Sequence, residues 1–333
     1  MDRQDGSDMT AFDEIWVSGR SGLKLLDCTI RDGGLMNNHR FSEDTVKAVF
    51  NACAASGIDI IEIGYRASKK IFYPNDYGKW KYCSEEDVRR IVGEGEYEIK
   101  LAVMTDAERT DYHEDIPPKE KSIFEVIRVS TYVHQLPEAV DMIHDAHQKG
   151  YFTTANIMAV SKVTEAELDR ALEMLVQTEA QVFYLVDSYG ALYPHQVRYL
   201  IEKYAKYARP EGKLIGMHAH NNQELAFANT LEAILTGADI VDGTLAGLGR
   251  GAGNCRLESL VSYLRNPRYQ LAPLLDCVAK FIEPLRKDLK WGFDVPYLLT
   301  GVMNRHPSAA INFNNSRDRG DYLKFYNLLL ESE

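Results

Sequence analysis

Positive charge is in short supply in this chain: 38 Lys and Arg stand against 49 Asp and Glu, a formal net charge of −11 over 333 residues. A general nucleic-acid binder needs a cationic surplus to neutralise phosphates, so that class is disfavoured and only local basic patches remain. Cysteine is scarce as well. The five, Cys28, Cys53, Cys83, Cys255 and Cys277, are scattered, odd in number and form no C-x-x-C pair. That argues against a disulfide framework or a zinc knuckle and points to reduced thiols. No apolar run approaches the roughly 18 residues that a membrane span needs. The opening MDRQDGSDMT lacks the basic start and apolar stretch of a signal peptide. The expected location is the cytoplasm. Gly/Ser-rich linkers are missing, and no internal repeat appears beyond an alternation of short apolar runs with amphipathic segments.

That alternation is what the sequence does have. With 45% hydrophobic and 26% charged residues the composition is that of an ordinary globular protein. Candidate strands run over 24–29, 58–64, 98–104, 122–130, 152–160, 181–188, 213–220 and 238–246. Helical patterns lie between most of them, for example over 42–56, 165–179 and 223–237, with Ser, Thr or Asn at the start and Gly near the end. Nearly continuous apolar strands indicate burial on both faces, as in a parallel sheet. Eight β-then-α units predict a (β/α)₈ TIM barrel, with a doubly wound open sheet as the alternative. The expected division is an N-terminal arm over 1–22, a barrel over 23–265 and a helical extension over 266–333, with helix candidates at 271–290 and 321–331. Residues 105–121 read as largely loop.

Chemistry in such a barrel sits just past the C-terminal ends of the strands. The first strand runs into Arg31, Asp32, Gly33 and Gly34, and the second ends at Tyr65 and Arg66. Asn156 lies on the fifth, Asp187 and Ser188 end the sixth, and His218 and His220 end the seventh. Residues two apart on a strand point the same way, so both imidazoles can meet one ion. Taken alone, H-x-H also occurs as two polar residues at a strand end, and Asp32 also suits an Asx-turn before glycine. The glycine-rich run 247–253, with Arg250 in it and Asn254 after it, can cradle an anion or form a tight turn. It lacks the Gly-Lys-Ser/Thr ending of a P-loop. Jointly, a carboxylate, two histidines and an amide all fall at strand ends. The loop 66–83 is basic and aromatic, and Arg66, Lys69, Lys70, Lys79 and Lys81 make a candidate clamp for an anionic tail. A solvated charged loop is the plainer alternative.

The motifs LDCTIRDGG (26–34), HAHNN (218–222) and GLGRGAGN (247–254), in this order, resemble the DRE-TIM metallolyases, a superfamily that includes hydroxymethylglutaryl-CoA lyase. The likeness runs from about residue 23 to 305. VDSYGALYP (186–194) and WGFDVPYLL (291–299) are most similar to the 4-hydroxy-2-oxovalerate aldolase branch. The resemblance implies a divalent metal, Mg²⁺ or Mn²⁺ first and Co²⁺ or Zn²⁺ next, held by Asp32, His218 and His220 with Asn254 as a further ligand. It implies Arg31 beside a developing enolate and Tyr297 as an active-site tyrosine. Asn156, Asp187, Ser188, Tyr65, Arg66 and Arg250, by their places at strand ends and in the glycine-rich run, are the candidates to surround a small 2-oxo acid and an aldehyde. One position departs from the pattern: the aldolases carry a catalytic histidine three residues after the metal-binding aspartate, where this chain has Leu35, and the nearest histidine is His39.

The implied activity is an aldehyde-lyase that cleaves or forms a C–C bond of a 4-hydroxy-2-oxo acid. Two other readings are weighed against it: a Claisen-type acyltransferase joining acetyl-CoA to a 2-oxo acid, and a non-catalytic barrel serving as a partner subunit. The apolar C-terminal helices suit a homo-oligomer contact or, as in the resembling aldolases, a dehydrogenase partner.

Overall fold

The computed structural model describes residues 22–331 apart from 94 and 96, so the expected N-terminal arm lies, but for Gly22, outside the described residues. Eight parallel strands, β1 (Lys24–Asp27), β2 (Ile60–Tyr65), β3 (Lys100–Asp106), β4 (Val126–Thr131), β5 (Phe152–Ile157), β6 (Val182–Asp187), β7 (Leu214–Ala219) and β8 (Ile240–Gly243), close into a barrel in sequence order. β1 completes the ring by pairing with both β2 and β8. These are the eight segments read from the sequence, with bounds shifted by a few residues.

Helices α1 (Thr29–Gly33), α2 (Glu43–Ala55), α3 (Glu85–Val92), α4 (Tyr112–Asp115), α5 (Leu136–Gln148), α6 (Glu165–Val176), α7 (Pro194–Ala208), α8 (Ala226–Thr236) and α9 (Leu257–Leu264) follow the strands in turn. Local chemistry sets their starts. Ser42, Ser84 and Thr164 each accept a backbone N–H three residues on, and Glu167 answers Thr164 in a capping box. No helix among the described residues is long and apolar enough to cross a membrane.

The period of two along each strand separates two environments. Leu25, Ile61, Val103, Ile127, Phe183, Ile215 and Val241 face the surrounding helices in the main core cluster. Their neighbours Leu26, Ile60, Ala102, Val126, Val182 and Ile240 fill the barrel floor. One inward step higher the filling turns polar: Glu62, Arg128, Tyr184 and Asp242, all buried. Arg128 reaches Asp242 Oδ2 at 2.6 Å and Glu62 Oε2 at 3.0 Å, with its guanidinium 4.4 Å from the centre of the Tyr184 ring. Gly216 makes room for that ring, because a Cβ there would lie 2.5 Å from it.

Three expectations need correction. The first strand stops at Asp27, and Thr29–Gly33 coils into a helical turn rather than extending the strand. The helix expected over 271–290 is regular only as α10 (Leu271–Cys277). It widens over Val278–Ile282 and tightens over Glu283–Lys287, where Pro284 lacks the N–H that a continuing helix needs. Two further helices, α11 (Val295–Val302) and α12 (Ser308–Asn314), precede the expected last one, α13 (Tyr322–Glu331). Residues 105–121 are mostly loop as expected, carrying only the short α4 and one tight turn.

The turn after β1 is pinned from below. Thr29 donates its hydroxyl to Asp27 at 2.5 Å and its N–H at 3.1 Å, and its oxygen accepts the Leu245 N–H at 2.8 Å. Burial pushes the Asp27 carboxyl up to about 7, against the lowering effect of these bonds. A raised native pKa favours folding below the unfolded value, and that contribution is lost as pH rises through about 7. Asp27→Asn should therefore gain on the wild type by about 3 kcal/mol between pH 5 and pH 8. Urea denaturation at the two pH values measures this, and parallel stability curves would contradict it.

Candidate active site

Asp32 stands on α1, one turn beyond β1, while His218 and His220 occupy alternate inward positions at the end of β7. Asp32 Oδ2 lies 3.8 Å from His218 Nε2 and 3.6 Å from His220 Nε2. All three side chains are buried. The other nitrogen of each ring is already engaged. His218 Nδ1 is 2.9 Å from Asp242 Oδ2, and His220 Nδ1 is 3.0 Å from the carbonyl of Asp187. Carboxylates and carbonyls only accept, so Nδ1 carries a proton in both rings, and in the neutral form of each ring Nε2 keeps its lone pair. Neither Nε2 has a hydrogen-bond partner among the described residues. Two lone pairs aimed at a carboxylate oxygen repel it unless a cation stands among them.

The electrostatics agree. Burial holds His218 down to about 4, with Arg31 adding to it and Asp242 opposing. Burial alone would raise the Asp32 carboxyl, but the Arg31 guanidinium beside it keeps it well below the usual carboxylate range. Near neutral pH Asp32 is thus a carboxylate and His218 a neutral imidazole. Asn254 sits opposite His220 in an isolated antiparallel bridge, and its Oδ1 is buried without a hydrogen-bond partner among the described residues. Gly249 leaves the space open: a Cβ there would stand 2.6 Å from Asp32 Oδ1 and 2.1 Å from Asn254 Nδ2. Asp32, His218 and His220 form a group that can hold a divalent ion, and the mixed N/O donors suit Mg²⁺ or Mn²⁺ as well as Co²⁺ or Zn²⁺.

Arg31 lies beside this group. Its Nη1 meets Asp32 Oδ2 and its Nε meets Glu62 Oε2, each at 2.6 Å. With two donors spent on carboxylates, the side chain is fixed in place and still borders the cavity above the barrel. That cavity, of about 150 Å³, is lined by Arg31, Asp32, His218 and His220 together with Tyr65, Asn156, Ser188 and Arg250. The backbone N–H of Arg250 also donates to Asp32 Oδ1 at 3.1 Å.

Other expected residues lie elsewhere. Arg66 turns from the cavity to pair with Glu85 and covers the Phe124 ring. The Asp187 carboxylate is spent on the N–H groups of Ala191 and Leu192, and burial raises it to about 6. His39 is buried behind Gly34 and meets Tyr65 edge-on at 5.2 Å. Burial, reinforced by Lys81 and Arg31, lowers it to about 3, so it is a poor base. Tyr297 stacks over Gly251 and lines a neighbouring cavity of about 790 Å³ that shares Leu35 and Arg250 with the first. Leu35 itself borders the main cavity and offers no proton to exchange.

Sequence reading missed Asp106, Arg109, Ser130, Tyr189 and His306, all of which border the cavity. Asp106 and Ser130 were findable, since they end β3 and follow the inward alternation of β4. His306 comes from the loop between α11 and α12 and had no strand end to mark it. Its Nδ1 accepts the Ser308 N–H at 3.1 Å, which leaves the proton on Nε2.

The HMGL-like family model matches residues 22–277. The chain is 30% identical over 267 residues to a 4-hydroxy-2-oxovalerate aldolase of Carboxydothermus hydrogenoformans, covering 79% of this chain and 77% of that one. It is 28% identical to an oxaloacetate decarboxylase of Mycobacterium tuberculosis, over 80% and 76% of the two chains. Among solved structures it is similar to the N-terminal domain of a candidate aldolase from Bacteroides vulgatus, with a TM-score of 0.75, 28% identity and coverage of 88% and 97%.

Because Asp242 sets the tautomer of His218, Asp242→Asn should weaken binding of Mn²⁺ about 10–100-fold. Titration calorimetry on the folded variant measures it. An unchanged affinity would show that His218 does not depend on that carboxylate.

Proposed function

The chain belongs to the HMGL-like family, and from that premise we propose that it is a divalent-metal-dependent aldolase that cleaves the C3–C4 bond of a 4-hydroxy-2-oxo acid. The observation that carries the reading is the pair of unpartnered imidazole nitrogens, His218 Nε2 and His220 Nε2, converging on Asp32 beside a guanidinium fixed by two carboxylates. The names of the similar proteins support it, since both an aldolase acting on a 4-hydroxy-2-oxo acid and a decarboxylase acting on oxaloacetate can proceed through the enolate of a 2-oxo acid.

Asp32, His218 and His220 would hold the ion, with Asn254 Oδ1 as the further oxygen. When bound, the ion supplies a Lewis acid for the keto group. The rest falls to the chain. Asn156, Ser188 and Tyr65 border the space for the substrate and restrict its pose. In cleavage the 4-hydroxyl loses its proton, the C3–C4 electron pair moves to C3, an aldehyde leaves, and the enolate oxygen gains negative charge. Arg31 faces that charge without having to reorganise, because Glu62 and Asp32 already hold it. Such a fixed donor is worth about 10²–10³ in rate. With Leu35 in the histidine position and His39 behind the wall, the 4-hydroxyl proton passes to solvent in the cavity. C3 then takes a proton back from that solvent to give the 2-oxo acid.

The test is metal analysis of the purified protein, then a screen of 4-hydroxy-2-oxo acids for pyruvate release with that metal. Pyruvate release, abolished by Asp32→Asn and lowered about 10²–10³-fold by Arg31→Met, is the expected result. Thiol release from acetyl-CoA with a 2-oxo acid, and no pyruvate, would establish the acyltransferase instead. Absence of any copurifying metal with full function in Asp32→Asn would favour the non-catalytic barrel.

A further inference from the structure

The cavity has a second cationic pole that the cleavage step leaves unused. In the basic loop after β2, Lys79 pairs with Glu43, Lys70 with Asp111 and Glu114, and Arg66 with Glu85. Lys69 is exposed over the Tyr82 ring and does not line the cavity, whereas Lys81 is buried against it. It is only 4% exposed and borders the cavity. Its ammonium lies 4.1 Å from the ring centres of Tyr65 and Phe72 and 5.9 Å from that of Tyr77. Among the described residues no hydrogen bond or ion pair holds it. Its backbone is fixed on both sides, by the Gly78 carbonyl and the Ala67 N–H, and by the fully buried Trp80 before it.

Aromatic faces attract an ammonium but accept none of its three hydrogen bonds. A buried, unbonded ammonium is costly unless an acceptor arrives. Burial accordingly pushes Lys81 down to about 8, against the opposite pull of Asp106. Arg109, from the loop after β3, borders the same cavity and likewise forms no ion pair among the described residues. Asp106, the one carboxylate on that wall among the described residues, accepts the Ser130 hydroxyl and offsets only one of the two cations. Arg31 is neutralised by Asp32 and Glu62. A chain with a net charge of −11 thus keeps a net positive charge at the β2–β3 side of the mouth, two cations against one carboxylate, next to the β1 and β7 side that carries the metal-type cluster.

We propose that Lys81 and Arg109 bind a second carboxylate at the end of the substrate remote from its 2-oxo acid group, which makes the protein selective for 4-hydroxy-2-oxo dicarboxylates. This rests on the reading that the Asp32–His218–His220 side takes a 2-oxo acid. It assigns Lys81 and Arg109 to specificity rather than to bond cleavage, and the aldehyde released would itself carry a carboxylate.

The test uses two six-carbon probes without a 4-hydroxyl, 2-oxoadipate and 2-oxohexanoate, titrated calorimetrically into the Mn²⁺-loaded protein. The dicarboxylate should bind about 10–100-fold more tightly, the range of a charge-assisted contact. In Lys81→Met that ratio should fall toward one, and Lys81→Arg should restore part of it. Arg109 is exposed, so Arg109→Gln tests the same ratio in a variant whose folding is not at stake, and it should fall there too. A merely structural Lys81 would weaken both probes alike and leave the ratio unmoved. Equal binding of the two probes by the wild type, or a ratio unmoved in both Lys81→Met and Arg109→Gln, overturns the proposal. Neither probe can be cleaved, so failure of the cleavage assay would sink the aldolase reading without touching this ratio.

Discussion

The site depends on a chain of alternating charge threaded through the barrel interior. Asp32 meets Arg31, Arg31 meets Glu62, Glu62 meets Arg128, Arg128 meets Asp242, and Asp242 meets His218, whose free nitrogen faces Asp32 again. Every member is buried. Removing one partner from such a chain typically costs about 3–5 kcal/mol, because it strands a charge in low dielectric. The same strictness makes the arrangement useful. The Arg31 guanidinium cannot swing, His218 cannot change tautomer, and Asp32 stays ionised.

The C-terminal segment acts on this site from outside the barrel. Trp291 donates its indole N–H to Ala246 at 3.0 Å, and Tyr297 packs on Gly251, so the glycine-rich loop after β8 is braced from above. Asn222, within the HAHNN motif, turns from the imidazoles and reaches the Tyr297 carbonyl and the Thr300 hydroxyl, each at 3.4 Å. Gly301 permits that contact, since a Cβ there would sit 2.9 Å from Asn222 Cβ. The motif therefore serves two ends: its histidines face the cavity, and its second asparagine ties the extension down. The same segment brings His306 to the cavity rim.

Legibility differed by the range of the interaction. The eight strands could be read because burial on both faces leaves a local apolar signature in each. The convergence of Asp32, His218 and His220 could be anticipated because strand polarity sends all three to one end of the barrel. Arg66 and Asp187 sit at equally good strand-end positions, yet each is diverted, Arg66 by Glu85 on α3 and Asp187 by the N–H groups of its own turn. Those partners lie off the alternation that guided the reading.

By itself the sequence determined the barrel and the donor atoms gathered at its mouth, since both follow from periodicities of two and 3.6 that each segment carries alone. Only the tertiary structure decided which nitrogen of each imidazole stays free, that Lys81 rather than its basic neighbours reaches the cavity, and that a histidine from the extension joins it. Those outcomes rest on contacts between residues far apart in the chain, such as His218 with Asp242, or on which lysine of the loop after β2 finds a carboxylate partner. No local pattern encodes them, because their energy exists only once the barrel has closed.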